Sequence, residues 1–374
     1  MLPNDGVEEP AQGTEPPTEG VEALSVGTEE GEALPSASAS DVVVEEAADG
    51  ARLAEVRRLA ADARWLDALD ALEALGASEG GEDEVLEEVR ARGACFRRAR
   101  ELCEASGGEV GEVGETSSSS SAWSEGYRAF GVETSFRYDD AGLLWLRTTG
   151  PMDDIDLFHT VAVIREIALF GEWIPFLRHS TVVREVDFSR LLAWFSIGVR
   201  GVLSRDCVLR VAACNDALSS GALYFEGASL GDDVRTWRGA AVPPRSTTWG
   251  FDRMVVRSLF AKVAFTSKTS QHCIFVVSVD LRTSLPRAVL DFFLKKLVGL
   301  FLWLWRRQSR YISTHDACKH RDAIAADPAF YETWLRPKYD EFCATRGWAG
   351  APGPALRPDG DDGDGGAGAE PPDD

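Results

Sequence analysis

The spacing of apolar positions changes character along the chain. Between residues 51 and 75, Leu53, Val56, Leu59, Ala60, Ala63, Leu66, Leu69 and Leu72 recur three and four apart, the period of an amphipathic helix. After a GASEGGED break, Val85, Leu86, Val89, Phe96 and Leu102 carry a second, weaker stripe. Together these predict a helical hairpin over 51–106. A two-helix unit has little core of its own, so it is expected to cover part of the remaining chain or a protein partner. Beyond it the period drops to two. VETSFRY (132–138) and LLWLRT (143–148), separated by Asp139-Asp140-Ala141-Gly142, read as a β-hairpin. Asp153 to Leu169 reads as an acid-capped helix. STVVREV, LLAWFSIGV, CVLRVAA, ALYFEGA, MVVRSLFAKVAF and CIFVVSVDL follow as strands. Pro286 then opens a long helix, RAVLDFFLKKLVGLFLWLWRRQ, and a helical extension over 313–349 closes the folded part. Strands, a helix, antiparallel strands and a long C-terminal helix make an α+β chain.

Charge adds a division that the apolar pattern does not show. The 374 residues carry 39 Lys+Arg and 61 Asp+Glu, a formal net charge of −22. Residues 1–122 hold 29 acidic and 9 basic side chains, whereas 123–320 hold 20 acidic and 25 basic. The acid belongs to the ends, and the mildly basic middle has no dense Lys/Arg run. That argues against a nucleic-acid partner. Residues 1–50 contain no base and little apolar bulk. They bury too little surface to offset their ordering entropy, so an acidic disordered N-terminus is expected, and likewise a disordered tail over 350–374. Residues 107–122 read as a Gly/Glu/Ser linker. Met1–Gly20 lacks an apolar h-region, and the seven cysteines (95, 103, 207, 214, 273, 318, 343) form no CxxC. Both fit a reduced, cytoplasmic chain.

The long helix is the most informative element. Its apolar run LVGLFLWLW has nine residues, against the roughly 20 that span a bilayer. The stripe of Val289, Phe292, Phe293, Leu297, Leu300, Phe301 and Leu304 is wider than one sheet contact requires, which predicts a helix covering an apolar cavity. Trp303 and Trp305 beside Arg306, Arg307 and Arg310 have the composition of a membrane interface. Trp303, Trp305, Arg306 and Arg307 are therefore the candidate membrane-contact residues.

Three segments in order, IREIALFGEWIPF (164–176), SRDCVLR (204–210) and VVSVDLRTSLPRAVLDFFLKKL (276–297), resemble START lipid-transfer domains. The resemblance spans about Trp123–Ile312, roughly half the chain, and leaves out the front hairpin and both acidic ends. It implies a helix-grip fold, a curved antiparallel sheet wrapped around the C-terminal helix, with a START-like domain over 123–312. It further implies a non-enzymatic protein without cofactor that holds one sterol, phospholipid or ceramide-like lipid in an internal tunnel. Such a protein transfers the lipid between membranes or senses it, and is peripheral to a transient membrane surface. Candidate charges for the lipid's polar end are Arg165, Glu166, Arg205, Asp206 and Arg210. A buried charge must be paired or ligand-bound. Arg210 leads because it interrupts CVLRVAA. Its offset from Arg205-Asp206 differs by one residue from some members, and one residue reverses a side chain's face in a strand. The structural alternative makes Arg205-Asp206 a turn pair and turns Arg165 to solvent. The apolar lining candidates are Trp194, Phe195, Leu209, Phe225, Phe275, Val277, Phe292, Phe293 and Leu297.

Other chemistry is thinly represented. Gly227-Ala228-Ser229-Leu230-Gly231 matches G-x-S-x-G, which works as a nucleophile only on a strand–turn–helix, with His272 and Asp252 or Asp280 completing a triad. The polar segment after it does not read as that helix. His315-x-x-Cys318-x-His320 offers three metal-ligand types where a structural zinc site needs four. The alternatives to lipid carriage are a cyclase- or hydrolase-like cavity enzyme and a lipid-gated protein-interaction module acting through residues 51–106. The acidic ends are either solubilising or tune docking to anionic leaflets. If they tune docking, deleting 1–50 and 351–374 raises binding to anionic liposomes in low salt; co-sedimentation checks this, and unchanged binding makes them solubilising tails.

Overall fold

The structure, a computed structural model, describes residues 39–76, 83–104, 123–199, 203–245, 251–282 and 287–348, with backbone alone for 39–49, 199, 203, 251 and 287–297. The chain divides into two units, 1–48 and 49–374. Of the first, the described part, 39–48, is helical backbone.

Three helices come first: α1 (Ala39–Ala61), α2 (Trp65–Ala74) and α3 (Glu84–Glu104). The stripe from Leu53 to Leu72 reads as one helix, but the chain turns between α1 and α2, where Ala63 takes a φ of 57°. No Gly or Pro marks that turn, so periodicity alone runs through it. α1 also begins inside the segment expected to be disordered. Residues 1–38, the linker stretch 105–122 and the tail 349–374 lie outside the described residues.

The strands are β1 (Ser124–Ala129), β2 (Val132–Tyr138) and β3 (Leu144–Met152). Next comes α4 (Leu157–Arg165), whose cap Asp156 accepts from the Phe158 N–H at 2.8 Å, and a 3-10 turn, Ile167–Glu172. The chain continues through β4 (Leu177–Asp187), β5 (Arg190–Val199), β6 (Leu203–Asp216), α5 (Ala217–Ser220) and β7 (Ala222–Ser229). Short pieces β8 (Thr236–Trp237), β9 (Ala240–Ala241) and β10 (Phe251–Arg253) precede the long strands β11 (Val255–Ser267) and β12 (Ser270–Asp280). The last elements are α6 (Arg287–Thr314), α7 (Lys319–Ala326), a π-helical stretch, Ala329–Leu335, and α8 (Arg336–Thr345).

The sheet order is β1-β2-β3-β12-β11-β7-β6-β5-β4, antiparallel throughout, with β10 added parallel to the start of β6. Sequence reading missed β1, whose SEGYRA residues are exposed over most of its length and carry no apolar alternation. The α+β class and the antiparallel sheet set against a long C-terminal helix stand as expected. At 28 residues, α6 runs about 42 Å. Leu302 and Trp305 are buried in the cluster that includes Met152 and Val263, and the Trp305 indole donates to the Thr160 carbonyl at 2.9 Å.

The front helices cover the opposite face of the sheet. Trp65, Leu69, Phe96 and Leu102 share one buried cluster with Trp145, Ala212, Cys214, Tyr224, Phe260, Ile274 and Val276 of the strands. Each such large side chain taken from water stabilises the fold by about 1.5–3 kcal/mol. Polar bonds fix the register. The Trp65 indole donates to the Ala213 carbonyl at 3.0 Å, the Asn215 N–H to the Ala63 carbonyl at 2.9 Å, and Lys262 to Glu104 at 2.7 Å. The apolar stripe of the hairpin is thus taken up within the chain. Gly93 lets α3 approach α2, since a Cβ there would lie 2.5 Å from Leu69 Cβ. Gly93→Val is expected to destabilise the fold by about 1–3 kcal/mol through overpacking, read as a lower urea midpoint at unchanged slope.

Candidate functional site

Strand alternation sorts the lining candidates into two sets. Phe195, Leu209, Phe225, Phe275 and Val277 share the inner, α6-facing side with Leu146, Cys207 and Val298. Phe292, Phe293 and Leu297 belong to the part of α6 whose side chains lie outside the described residues. Trp194 belongs to the other face, because neighbours in a strand cannot share one. Its indole donates to Asp206 Oδ2 at 3.2 Å and its ring meets His179 at 4.5 Å. Arg210 also leaves the inner set. It lies cross-strand from Leu192 and Ala228, pairs with Glu226 at 3.3 Å, and borders a groove under α3 with Ala94 and Arg98. The lining role expected of Trp194 and the headgroup role expected of Arg210 are corrected on this ground.

Arg205 and Asp206 are both buried, at 6% and 1% exposure, and they do not form a pair with each other. Arg205 donates to the carbonyls of Leu281 and Ser204 at 2.8 Å each and of Arg282 at 3.4 Å, pinning the chain that leads from β12 to α6. Asp206 receives Arg253 through Nε at 3.1 Å and Nη2 at 2.5 Å. With protein partners supplied, neither acts as an open headgroup ligand.

Arg165 and Glu166 anchor the C-terminal extension. Arg165 reaches Glu166 at 3.0 Å, Asp327 at 2.9 Å and Glu185 at 3.4 Å, with its guanidinium 4.0 Å from the Phe330 ring centre. The Tyr331 hydroxyl donates to Glu166 Oε1 at 2.8 Å, and burial together with that carboxylate pushes the phenol pKa up. Arg165 therefore does not turn to solvent. Beside it an apolar cavity of about 60 Å³ lies among Ile164, Leu191, Val211, Phe225, Phe330 and Trp334. The extension thus closes one end of the interior, while the Arg205 bonds hold the segment that leaves β12.

A row of rings crosses the concavity. Phe170 stacks on Phe195 at 5.6 Å, Trp173 meets Phe170 at 5.4 Å and Phe301 at 5.3 Å, and Phe301 meets Phe275 at 4.9 Å. Phe170 and Trp173 escaped the residue-by-residue reading; their signal was the aromatic content of IREIALFGEWIPF. The Trp173 Nε1 is buried without a hydrogen-bond partner among the described residues. Burial itself is uneven. On the outer face Ala212, Cys214, Tyr224 and Phe260 are 1%, 1%, 0% and 3% exposed, whereas inner-face Phe195, Val211, Phe225 and Leu259 are only half-buried.

The membrane-contact candidates also separate. Trp305 is fully buried and belongs to the core, a correction that follows from the helical period, since residues two apart point nearly opposite ways. Trp303 is half-buried, Arg306 donates to the Phe130 carbonyl, and Arg307 is exposed.

Ser229 ends β7, where its Oγ accepts from the Val256 N–H at 2.9 Å and lies 3.6 Å from Cys207 Sγ. His272 bonds Thr149 at 2.6 Å, Asp252 lies 3.7 Å from Arg205, and Asp280 lies 3.6 Å from Arg257. His272 and Asp280 stand eight residues apart on β12, about 26 Å of strand, so they assemble no triad with Ser229. His315 bonds the Tyr311 carbonyl, while His320 is buried beside Gln308. Among the described residues no group of three His, Cys, Asp or Glu side chains is set to hold a metal ion.

No protein-family model matches the chain, and no curated protein matches it. Solved structures do. Human STARD10 is similar at 16% identity and a TM-score of 0.48, over 65% of this chain and 86% of that one. Human StAR-related lipid transfer protein 5 is similar at 14% identity and a TM-score of 0.48, over 62% and 100%. These are START-domain structures. The Zhui aromatase/cyclase from Streptomyces sp. R1128 is also similar, at 8% identity and a TM-score of 0.32, over 46% and 98%.

Burial lowers the pKa of His159, His272 and His320 below the ordinary histidine value. The unfolded chain then binds protons first as pH falls, so stability is complete above about pH 6.5 and is lost as pH drops through that value toward the depressed native pKa values. A Tm that falls between pH 7.5 and 5.5 is expected, with a shallower slope in His320→Asn; parallel slopes would show that His320 does not contribute.

Proposed function

We propose that the chain binds one amphipathic lipid between the inner face of the sheet and α6, and carries or reports that lipid without transforming it. The observation that carries this reading is the uneven burial of the two faces. An antiparallel sheet ordinarily keeps its core face drier than its outer one. Here the outer face is sealed under α2 and α3, whereas on the inner face Phe195, Val211, Phe225 and Leu259 retain surface beside the buried Leu209, Phe275 and Val277. A hydrophobic ligand covering that surface gains about 25 cal/mol per Å².

The charges support the same reading. Arg205 and Arg165, at two places along the interior, are satisfied by carbonyls and carboxylates, so the stretch between them offers rings and aliphatic chains. The resemblance of the sequence to START lipid-transfer domains points to the same ligand class. A cavity of about 60 Å³ is smaller than the roughly 300–1,000 Å³ of a ligand site. Uptake therefore moves the C-terminal extension or the first half of α6 outward, and on the extension side the Arg165–Asp327 and Tyr331–Glu166 contacts are the ones to open.

Native mass spectrometry of the purified full chain, followed by organic extraction, tests the reading. A one-to-one lipid adduct is expected. Val211→Trp, which fills the interior, is expected to weaken lipid binding about tenfold or more while the chain remains folded. A chain that is empty and takes up no sterol, phospholipid or ceramide when offered them overturns the proposal.

A further inference from the structure

The turn between β1 and β2 holds a conformational outlier. Ala129 pairs with Val132, so Phe130 and Gly131 are the whole loop, and their φ values are 54° and 68°. Positive φ at both positions is the type I′ geometry, for which Asn-Gly is preferred. Gly131 adopts it freely; a phenylalanine is strained there. That phenylalanine is also 63% exposed, so burial in the core does not repay the strain. Strain that persists at an exposed aromatic residue is a mark of a functional position.

The turn is held from α6. Arg306 donates to the Phe130 carbonyl, and its guanidinium lies so close to Gly131 that a Cβ there would sit 2.9 Å from Nη1. The Phe130 ring lies 5.3 Å from Trp303, and the Arg307 guanidinium lies 5.5 Å from the same indole. Tyr311 adds a further ring, 42% exposed, a turn further along α6.

Charge sets the patch apart from the rest of the molecule. Arg306, Arg307 and Arg310 fall within little more than one turn, and Arg306 and Arg310, four apart, repel each other. Among the described residues no carboxylate forms an ion pair with any of the three. This is a cationic cluster in a chain of net charge −22, and Asp153 offsets part of the charge of Arg306 from a distance. Arg306 is taken up by the turn, and the exposed Arg307 and Arg310 are left for something outside the fold; the rings beside them suit a surface that is apolar within and anionic at its edge.

The geometry points to this patch as the docking surface for an anionic lipid bilayer. Phe130 enters the interface, Trp303 lies at headgroup depth, and Arg307 and Arg310 face lipid phosphates and carboxylates. Arg306 ties the inserting tip to the helix that bears the charges, so both engage together. Beyond the sequence reading, Phe130 takes the place that Trp305 was expected to fill. The surface works whether or not the interior holds a ligand, so its test is independent of the lipid site.

The test is co-sedimentation of the full chain with phosphatidylcholine vesicles, with and without about 30 mol% phosphatidylserine. Binding is expected only with the anionic lipid and is expected to fade in high salt. Phe130→Asn is the decisive variant because Asn suits the turn. It is expected to leave Tm unchanged or higher while weakening vesicle binding about fivefold or more. Arg307→Glu with Arg310→Glu is expected to abolish binding. The proposal is overturned if the wild-type chain ignores anionic vesicles, or if Phe130→Asn binds them as well as wild type. It is equally overturned if Phe130→Asn lowers Tm, which would make Phe130 a structural residue. Retention on heparin that Phe130→Asn leaves intact, without vesicle binding, would identify a polyanion site instead.

Discussion

The alternation of side chains along β6 is the constraint from which the rest of the molecule follows. Cys207 and Leu209 point toward α6, while Arg210 and Ala212 point toward the front helices. Because both faces of this strand carry apolar residues, neither can be left to water, and the chain supplies a cover for each. The front helices α2 and α3 close one side; α6, α4 and the C-terminal extension close the other. The two covers differ in fit. The first is a close-packed layer in which Gly93 sits against Leu69, and the second leaves Phe195, Val211, Phe225 and Leu259 with surface to spare.

Much of this architecture was legible in the sequence. Period-two runs located most of the long strands, and Pro286 with the wide stripe after it located α6. What periodicity does not carry is absolute phase. CVLRVAA reads equally well with Arg210 on either face, and only pairing with β5 and β7 settles which face meets α3. The same holds for Trp194 against Phe195, and for Trp303 against Trp305. β1 was invisible because an exposed edge strand needs no apolar alternation, and the α1–α2 turn because Ala63 adopts its left-handed conformation without a glycine. Phe130 escaped notice for a related reason: the turn type follows from the pairing of Ala129 with Val132, which is known only once the strands are placed.

The charged candidates show how chemistry and structure trade places. Arg165, Glu166, Arg205 and Asp206 all turned out buried or half-buried, as a reading for interior charge would have it. Yet each is matched by a protein group, and the matching tells where chain segments are held: Arg205 to the turn before α6, Asp206 to Arg253, Arg165 and Glu166 to the extension at Asp327 and Tyr331. A buried ion pair contributes less to net stability than to fixing one arrangement among several. Here the arrangement so fixed is the boundary of the interior.

The bond from Trp65 to the Ala213 carbonyl joins residues 148 positions apart. At a synthesis rate of about 5–20 residues per second, the front helices wait roughly 7–30 s on the ribosome before β6 exists to receive them. Until then their leucines face solvent, and afterwards the strands have to close over long loops, which makes folding slow. The layer that seals the outer face is therefore a liability during biogenesis. Its Arg- and Glu-rich solvent side, with pairs such as Arg97–Glu73 and Arg57–Asp83, keeps that early intermediate dispersed until the sheet arrives.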